Sequence, residues 1–445
     1  MSRPKIAIVG GGWAGLAAAT ELSDYGFKCT IYEKSGELGG RCSSFWSEDF
    51  NEWLDSGPHI FIKAYRQSLS LLEKWDVSTG LNFDDTDRIP WILKGGKTSI
   101  LKLSSKRTAA AAAFMTFSGM SAGDKLKSVR LLDSFLRVKE IDLTPEPTVR
   151  EFLDRYGIKR GSCGGFWDSL TIAVMNAPPE VCGLLPLWRA FQEGLLIGGE
   201  SGRIGLPTTP FKQLYMDSAE TYLVGKSVFF QKSKTVSKLR VDKSGNFQTL
   251  FVDLEECKYD AVILALPPAE VLRLLPKSLT KNEYFRRFET FEYSPIAGIH
   301  FEFERPVLRQ QFAFLPGAFT HWIFGKGPKL PEGWSKISAV ISHAPRKAVM
   351  STQEIADLAL SELKDRLILP KRTPVKAVKV IRTVRATVVL KPESDSLRPD
   401  PVTPVKGLFL AGDWCATGLP ATIESAAISG INAAQAVIRQ YEENL

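Results

Sequence analysis

The stretch that decides the fold is KIAIVGGGWAGLAAATELSDYGFKCTIYEKSGELGGR, residues 5–41. It opens with a short apolar run rich in branched side chains, which indicates a buried parallel strand. Gly10-x-Gly12-x-x-Gly15 follows at once, then a helical pattern, then a second strand that ends at Glu33. This glycine pattern between a strand and a helix, with an acid about 20 residues on, predicts a dinucleotide-binding β-α-β unit.

Each residue of this unit has a physical role in binding a dinucleotide. Gly10 allows the tight turn, Gly12 lets the backbone approach a pyrophosphate, and Gly15 lets the helix pack closely on the strand. The helix N-terminus presents free N–H groups to the phosphates, and Glu33 would accept hydrogen bonds from ribose hydroxyls. A tight turn without a ligand is the alternative. The predicted contacts are Gly10, Gly12, Trp13, Ala14, Gly15, Glu33 and Lys34.

A second glycine turn, Glu37-Leu38-Gly39-Gly40-Arg41, follows the β-α-β unit. Its glycines permit another close approach of the backbone, and Arg41 can reach a pyrophosphate or a flavin. The glycine fingerprint alone does not separate NAD from FAD. This stretch resembles the start of the FAD-dependent amine oxidase and phytoene desaturase superfamily, whose turn ends in Gly-Gly-Arg. The resemblance implies non-covalent FAD, with Gly39, Gly40 and Arg41 among its contacts.

The C-terminal part of the chain carries a second set of superfamily features. An apolar run leads into Gly412-Asp413-Trp414, and residues 420–440 are predicted as a helix with Pro420 in its first turn. The resemblance implies that Asp413 takes a ribityl or pyrophosphate-side hydroxyl and that the helix N-terminus faces the flavin, favouring its anionic reduced form. Glu424 is either an acid of that first turn or a direct flavin contact. The implied contacts are Gly412, Asp413, Pro420, Ala421, Thr422 and Ile423, and the backbone of Val236 is predicted at the adenine.

These features predict an α/β fold with two domains. A Rossmann-like FAD-binding domain is discontinuous and is formed by residues 1–65, 205–290 and 400–445. An α+β substrate domain comes from residues 66–204, read as mostly helical, and from residues 291–399, read as antiparallel strands. Along those strands two sets of apolar residues alternate, so a sheet face could wall a tunnel for a long isoprenoid or pack as ordinary core. They are Ile299, Phe301 and Phe303, and Phe312, Phe314, Trp322 and Phe324.

A more specific resemblance lies in residues 54–60, 176–180 and 412–424, which are similar to the hydroxysqualene dehydroxylases, a bacterial squalene-associated group of desaturase-like flavoproteins. The resemblance implies that reduced FAD delivers a hydride that replaces the hydroxyl of hydroxysqualene, giving squalene for hopanoid synthesis. The chain departs from the group's usual Asn-Gly-Gln-His and Glu-Gly-Ala-Val, which leaves substrate and redox direction open. The alternatives are a carotenoid, phytoene-type desaturase and a non-catalytic isoprenoid-binding escort protein. The complete flavin motifs favour an enzyme, whose electron donor is unknown.

Loss of a hydroxyl as water requires a proton donor, and two residues near the second glycine turn are candidates. His59 titrates near neutral pH and could protonate the leaving oxygen. A structural histidine bonded to local backbone is the alternative. Asp55, four residues earlier, is either a second acid or a structural partner. Six cysteines without a C-x-x-C spacing and only four histidines make a metal site or a disulfide framework unexpected.

The charge of the chain is concentrated in one segment. The 445 residues include 57 Lys and Arg against 49 Asp and Glu, a net charge of +8. Residues 94–139 hold ten of the cations and two acids, Asp124 and Asp133, so this segment alone accounts for the excess. Together with apolar Phe114, Met115 and Phe117 it predicts binding to an anionic membrane surface. A solvated helical face is the alternative. We expect a cytoplasmic, peripherally membrane-associated protein that does not bind nucleic acid.

Overall fold

The computed structural model describes residues 4–83, 88–102, 107–193, 199–345 and 349–442. The strands are β1 (Lys5–Val9), β2 (Lys28–Glu33), β3 (Ser44–Ser47), β4 (Glu52–Asp55), β5 (Phe61–Ile62), β6 (Leu81–Phe83), β7 (Arg88–Ile92), β8 (Thr98–Lys102), β9 (Ile204–Pro207), β10 (Phe229–Lys232), β11 (Val236–Val241), β12 (Phe247–Val252), β13 (Glu255–Cys257), β14 (Ala261–Leu264), β15 (Tyr293–Phe303), β16 (Phe312–Phe314), β17 (Trp322–Lys326), β18 (Lys336–Ser342), β19 (Val375–Val388) and β20 (Leu408–Leu410). The helices are α1 (Trp13–Asp24), α2 (Arg66–Lys74), α3 (Arg107–Thr116), α4 (Ala122–Arg137), α5 (Val149–Arg155), α6 (Phe166–Met175), α7 (Leu184–Gln192), α8 (Asp217–Gly225), α9 (Pro268–Leu274), α10 (Lys277–Thr280), α11 (Glu283–Arg286), α12 (Thr352–Arg366), α13 (Ser394–Leu397) and α14 (Ile423–Glu442).

A parallel five-stranded sheet forms the dinucleotide end, in the order β10-β2-β1-β14-β20. Its strands come from all three segments predicted for the FAD domain, although the domain boundaries themselves stay a prediction. β1 is buried on both faces, because Ile6 and Ile8 pack in the core that holds α1 and α14, whereas Ala7 and Val9 pack in the core on the other side. Burial on both faces explains why the β1 sequence shows no polar alternation.

The carboxyl ends of the parallel strands bring the predicted cofactor motifs to one edge of the sheet. The N–H of Ala265, just after β14, donates to the carbonyl of Val9, and the N–H of Ala411 donates to Leu264. The turn at Gly10 and the loop that begins at Gly412 therefore flank β14. Ligands of open parallel sheets bind outside the carboxyl ends of the strands, so this edge is the expected site.

A seven-stranded sheet, β19-β15-β18-β17-β16-β7-β8, forms the second part of the molecule. It is antiparallel apart from the β7–β16 pair. Its β7 and β8 come from residues 66–204, which were expected to be mostly helical and which contain strands as well as α2 to α7. A local sequence pattern could not show that these short strands join a sheet whose other strands begin only at Tyr293.

The two aromatic sets of this sheet lie on opposite faces. Ile299, Phe301 and Phe303 pack with Ile355 and Leu363 of α12 in one core. Ordinary core packing, one of the two alternatives, therefore accounts for these three residues. The other set, which packs in the larger core with the helical region, consists of Phe312, Phe314 and Phe324, with half-buried Trp322 beside it.

The basic segment at residues 94–139 contains β8, α3 and α4; Lys106 lies outside the described residues, and the side chain of Arg107 is not described. Phe114 stacks on Trp167 with ring centroids 5.6 Å apart, and Phe117 packs edge-on against Trp91. Both phenylalanines are buried, so the expectation that they belong to a membrane-facing surface is wrong. Met115 alone of the three predicted apolar residues is exposed. Among the described residues, no helix has the length and apolar composition needed to cross a membrane.

Candidate functional site

Of the three glycines of the Gly10-x-Gly12-x-x-Gly15 pattern, one has open space beside it. A Cβ built on Gly15 would overlap the carbonyl oxygen of Gly10, and one built on Gly10 would overlap that of Ala265, so both positions require glycine for packing. Gly12 differs, because its Cβ would stand 3.8 Å from the nearest atom, the carbonyl oxygen of Gly39. The space beside Gly12 is a cradle between the two glycine turns that a side chain would fill.

The start of α1 and the end of β2 face this cradle with the chemistry that a dinucleotide requires. Gly12 caps α1 without a side chain, and the first turn of the helix holds no acidic residue, so its N–H groups have no intrahelical partner. Glu33 is buried and accepts hydrogen bonds from the N–H of Gly11 at 2.8 Å and the hydroxyl of Ser35 at 2.7 Å. Lys34 beside it is exposed. The residues present fit a pyrophosphate at the helix N-terminus and a ribose at Glu33.

The second glycine turn is bonded to the first. The N–H of Gly39 donates to the carbonyl of Gly11 at 2.8 Å, and Gly39 and Gly40 both adopt positive φ angles, 96° and 59°. Arg41 then forms a two-pronged ion pair with the buried Asp413, with nitrogen–oxygen distances of 2.7 and 2.9 Å. The structure therefore joins two residues predicted separately at opposite ends of the chain.

The loop after β20 is longer than the sequence predicted. Helix α14 begins at Ile423 rather than at Pro420. The reason is a cap: the hydroxyl of Thr422 accepts from the N–H of Ser425 at 3.2 Å, and its carbonyl accepts from Ala426. Pro420 and Ala421 remain in the loop. Residues 412–422, which the sequence predicts to lie beside the flavin, are called the flavin-facing loop below.

Glu424 lies in the first turn of α14, as one of its two predicted roles supposed, and its carboxylate also bonds to α2. Its carboxylate is buried and accepts from the N–H groups of Gln67 and Ser68, both at 2.8 Å, and from the hydroxyl of Ser68 at 2.7 Å. These groups form the first turn of α2, so Glu424 caps a helix some 350 residues away in the sequence. Burial raises the pKa of this carboxyl. The contact joins the starts of α2 and α14.

Asp55 acts as a structural partner. One carboxylate oxygen accepts from the hydroxyl of Ser44 and from the N–H of Phe211, each at 2.8 Å. Phe211 starts the helical segment that continues through a π-helical turn, Lys212–Met216, into α8. The main-chain carbonyl of Asp55 accepts from Nε2 of His300 at 3.0 Å. These bonds fix the loop that follows Asp55 against β15.

His59 lies in that loop and bonds to local backbone, as the structural alternative supposed. Its Nδ1 donates to the carbonyl of Gly57 at 2.9 Å, and its ring packs edge-on against Phe211. Because Nδ1 carries the proton, Nε2 of the neutral ring is the basic nitrogen. Burial lowers the pKa of His59. A role as proton donor stays a prediction.

Val236 begins β11, which belongs to the three-stranded sheet β11-β12-β13 and not to the parallel sheet. The turn before it is bonded to the end of β2, because the N–H of Lys234 donates to the carbonyl of Glu33 and that of Ser233 donates to Ser35. Val236 is buried and close to the predicted ribose residue, which is compatible with an adenine contact.

Sequence reasoning missed Arg398, whose fully buried side chain bonds to the flavin-facing loop. An arginine directly before a proline, as in Arg398-Pro399, carries no local signal of burial. All six cysteines are free thiols. Within the described ranges, no group of three or more His, Cys, Asp or Glu side chains is arranged to hold a metal ion.

Comparison with known proteins agrees with this geometry. The model of the family described as flavin-containing amine oxidoreductase matches residues 13–438. Hydroxysqualene dehydroxylase from Sinorhizobium fredii is 27% identical, with 97% of this chain and 98% of the relative covered. The enzyme of the same name from Rhodopseudomonas palustris is 26% identical, with 97% of each chain covered.

More distant proteins share the length or the fold. The 15-cis-phytoene desaturase of Solanum lycopersicum is 24% identical, and the match covers 98% of this chain and 78% of the desaturase. A redesigned triple mutant of putrescine oxidase is 16% identical and superposes with a TM-score of 0.76. The superposition covers 98% of this chain and 99% of the oxidase. This likeness confirms the predicted fold class.

Proposed function

The chain belongs to the family of flavin-containing amine oxidoreductases and is an FAD-dependent oxidoreductase, and on this premise we propose that it converts hydroxysqualene reductively to squalene. The main support is the match to two hydroxysqualene dehydroxylases, which covers at least 97% of this chain and of each relative. The phytoene desaturase matches this chain equally far but extends well beyond it. Carotenoid desaturation is therefore the second candidate.

We propose that the FAD contacts are those predicted from the motifs. The cradle beside Gly12 would hold the pyrophosphate, Glu33 the adenosine ribose, and the backbone of Val236 the adenine. Asp413 would bind a ribityl hydroxyl while Arg41 fixes its orientation. The N–H groups of the last loop residues, Ala421 and Thr422, and of Ile423 at the start of α14 would face the flavin ring, where a helix N-terminus stabilises negative charge.

The reaction exchanges a hydroxyl for a hydrogen. Bound FAD in its reduced form supplies the hydride, and a proton is needed so that the hydroxyl leaves as water. We propose that His59 passes this proton from Nε2, the nitrogen that is not bonded to Gly57. Because burial lowers its pKa, protonated His59 is a stronger acid than free imidazolium. Asp55 serves the reaction indirectly, by fixing the loop that carries His59.

The test is a single turnover without oxygen. Holoenzyme reduced with dithionite is mixed with hydroxysqualene, and the products are identified by mass; squalene is expected. Absence of squalene, with the flavin confirmed reduced by its spectrum, would reject this substrate. A parallel incubation of oxidised holoenzyme with phytoene and a quinone acceptor tests the second candidate, for which new conjugated double bonds are the expected product.

We also propose that the protein docks peripherally on an anionic membrane at its cytoplasmic face, through residues 94–139. Support comes from exposed apolar side chains among exposed cations. Ile100, Met115 and Leu126 are 47%, 46% and 55% exposed. Exposed cations on the same segment are Lys94, Lys97, Lys102, Arg130, Arg137 and Lys139. A C30 hydrocarbon substrate dissolves in the bilayer, so docking there would shorten its path.

Vesicle flotation tests this docking. Replacing Lys94, Lys97 and Arg130 by glutamine should weaken binding to phosphatidylserine vesicles roughly hundredfold, since each cation near an anionic surface contributes about 1 kcal/mol. Replacement of Lys28, Lys243 and Lys281, exposed cations outside the segment, is the matched control and should have little effect. Binding that is indifferent to anionic lipid and to salt would contradict the proposal.

A further inference from the structure

We propose that Arg398 is a positioning residue that holds the flavin-facing loop in its working conformation, and that Arg189 couples this loop to the helical substrate region. The inference rests on the flavin contacts proposed above, because it assigns to Arg398 the support of the loop that carries Asp413. It does not depend on the identity of the substrate.

The guanidinium group of Arg398 is surrounded by oxygen atoms of the loop and of the first turn of α14. Its side chain is fully buried, with an exposed fraction of 0%. It donates to the carbonyls of Leu419 at 2.8 Å and Asp413 at 3.2 Å, and to the hydroxyls of Thr417 at 3.1 Å and Ser425 at 3.4 Å. A planar group with five N–H donors can satisfy such a spread of acceptors, which a lysine cannot.

The charge of Arg398 is balanced by a chain of ion pairs that leads out of the loop. Asp395 accepts from Arg398 at 3.1 Å and, through its other oxygen, from Arg189 at 2.6 Å. Arg189 lies in α7 and also pairs with Glu140 at 2.6 Å. Two cations and two carboxylates thus alternate, and none of the four charges is left unpaired.

Arg189 also touches the loop itself. Its Nη1 donates to the carbonyl of Gly418 at 3.3 Å. Gly418 and Gly412 both have positive φ angles, 79° and 150°, and glycine backbone in such regions has a high conformational entropy when it is released. A loop with two such glycines needs bonds from outside to keep one conformation. Arg398 and Arg189 supply them from two directions.

Asp413 is held at both ends as a result. Arg41 binds its side chain, and Arg398 binds its main-chain carbonyl. Replacing Arg398 by methionine removes the second restraint but leaves Asp395 paired with Arg189, so the variant does not bury a lone carboxylate. The loop should then relax, and both FAD affinity and the stabilisation of reduced flavin should fall.

The experiment compares Arg398→Met with Arg366→Met. Arg366 is also buried and also donates to two backbone carbonyls, those of Ile92 and Pro316, both at 3.0 Å. Both variants should melt at lower temperature. Only Arg398→Met should raise the Kd for FAD, at least tenfold, and lower the flavin midpoint potential by about 30 mV, the value for tenfold weaker binding of reduced than of oxidised flavin. Chymotrypsin should cleave its apoprotein faster after Trp414, which lies in the same loop.

Two further variants test the guanidinium group of Arg398 and the contact from Arg189. Arg398→Lys retains the positive charge but loses the planar guanidinium group. Its Kd for FAD and its flavin midpoint potential should lie between those of the unsubstituted protein and those of Arg398→Met. Arg189→Met should give a smaller change of the same kind if Arg398→Met fails to fold. Equal effects of the Arg398 and Arg366 variants on FAD affinity, or an Arg398→Met protein with lower melting temperature but unchanged Kd and potential, would overturn the inference.

An Asp413→Ala variant separates this inference from its premise. Weakened FAD binding in Asp413→Ala beside unchanged binding in Arg398→Met would overturn the role of Arg398 alone. Unchanged binding in Asp413→Ala would overturn the flavin contacts and the inference with them. None of these measurements uses hydroxysqualene, so a failure of the proposed substrate leaves them intact.

Discussion

Gly12 and Gly15 belong to the same glycine turn, yet alanine should have opposite effects at the two positions. Gly12 has φ −81° and ψ −177°, which any residue adopts. An added Cβ would meet only Gly39 at 3.8 Å and Gly40 at 3.9 Å, which is ordinary van der Waals contact. Gly12→Ala should therefore fold normally, and the reduced freedom of its unfolded chain favours folding by about 0.4–1 kcal/mol.

The same methyl group should be costly for the cofactor. It would occupy the cradle in which the pyrophosphate is proposed, where phosphate oxygens must approach backbone N–H groups to roughly 2.7–3.2 Å. Losing one hydrogen bond to a charged group costs about 1.5–3 kcal/mol, and overpacking adds roughly 1–3 kcal/mol. A total near 3 kcal/mol corresponds to roughly a hundredfold increase in the Kd for FAD, at about 1.4 kcal/mol per tenfold.

Gly15→Ala should instead damage the fold. Its Cβ would lie closer than 3.0 Å to the carbonyl oxygen of Gly10, so α1 must move away from β1, at a cost of about 3 kcal/mol or more. With unfolding entropies near 2.1 cal/mol/K per residue, a chain of 445 residues loses about 1 °C per kcal/mol. Melting of the apoproteins and fluorescence titration with FAD measure both effects. Unchanged FAD affinity in Gly12→Ala would refute the cradle as the pyrophosphate site.

Three further predictions concern the site and the core. His59→Gln should lower squalene formation about a hundredfold or more with FAD still bound; unchanged turnover would place the proton donor elsewhere. Glu424→Ala should destabilise the protein by about 2–4 kcal/mol, because the start of α2 loses a charged cap, and Glu424→Gln should cost less in the same melting assay. Burial lowers the pKa of His300 and His321 to about 4, so the unfolded chain binds more protons than the folded one between about pH 4 and 6.5. Stability should fall as pH drops through that window, by up to about 1.4 kcal/mol per unit for each histidine, and replacing both by glutamine should flatten the melting curve against pH.

The parts of this fold that the sequence reveals are those with local signals. The glycine turns, the acid at the end of β2 and the apolar β1 all lie within residues 5–41, and each restricts backbone geometry by itself. Period-2 alternation likewise showed that Ile299, Phe301 and Phe303 share a face. It could not show which layer covers that face, because α12 packs there from a segment more than 50 residues further along the chain.

Buried charges escaped prediction for a different reason. A charged side chain is expected at the surface unless it is paired, and the pairs in this protein are distant in sequence. Glu424 bonds to Gln67, and Arg189 bonds to Asp395. The start of α14 was misplaced because Thr422 caps the helix, and the bond from Arg398 to the carbonyl of Leu419 is one that the nearby Pro420 does not reveal.

The basic segment shows how composition and structure constrain each other. The sequence located the whole net charge in residues 94–139 but assigned Phe114 and Phe117 to a membrane face, and both lie in the core. The structure exposes Ile100, Met115 and Leu126 instead. Large apolar side chains do not stabilise a surface that contacts only water. A surface that enters the boundary of an anionic bilayer needs exposed apolar side chains beside cations. Replacing Leu126 by glutamate should therefore weaken flotation with neutral as well as anionic vesicles, and glutamine at the cations should weaken it only with anionic ones.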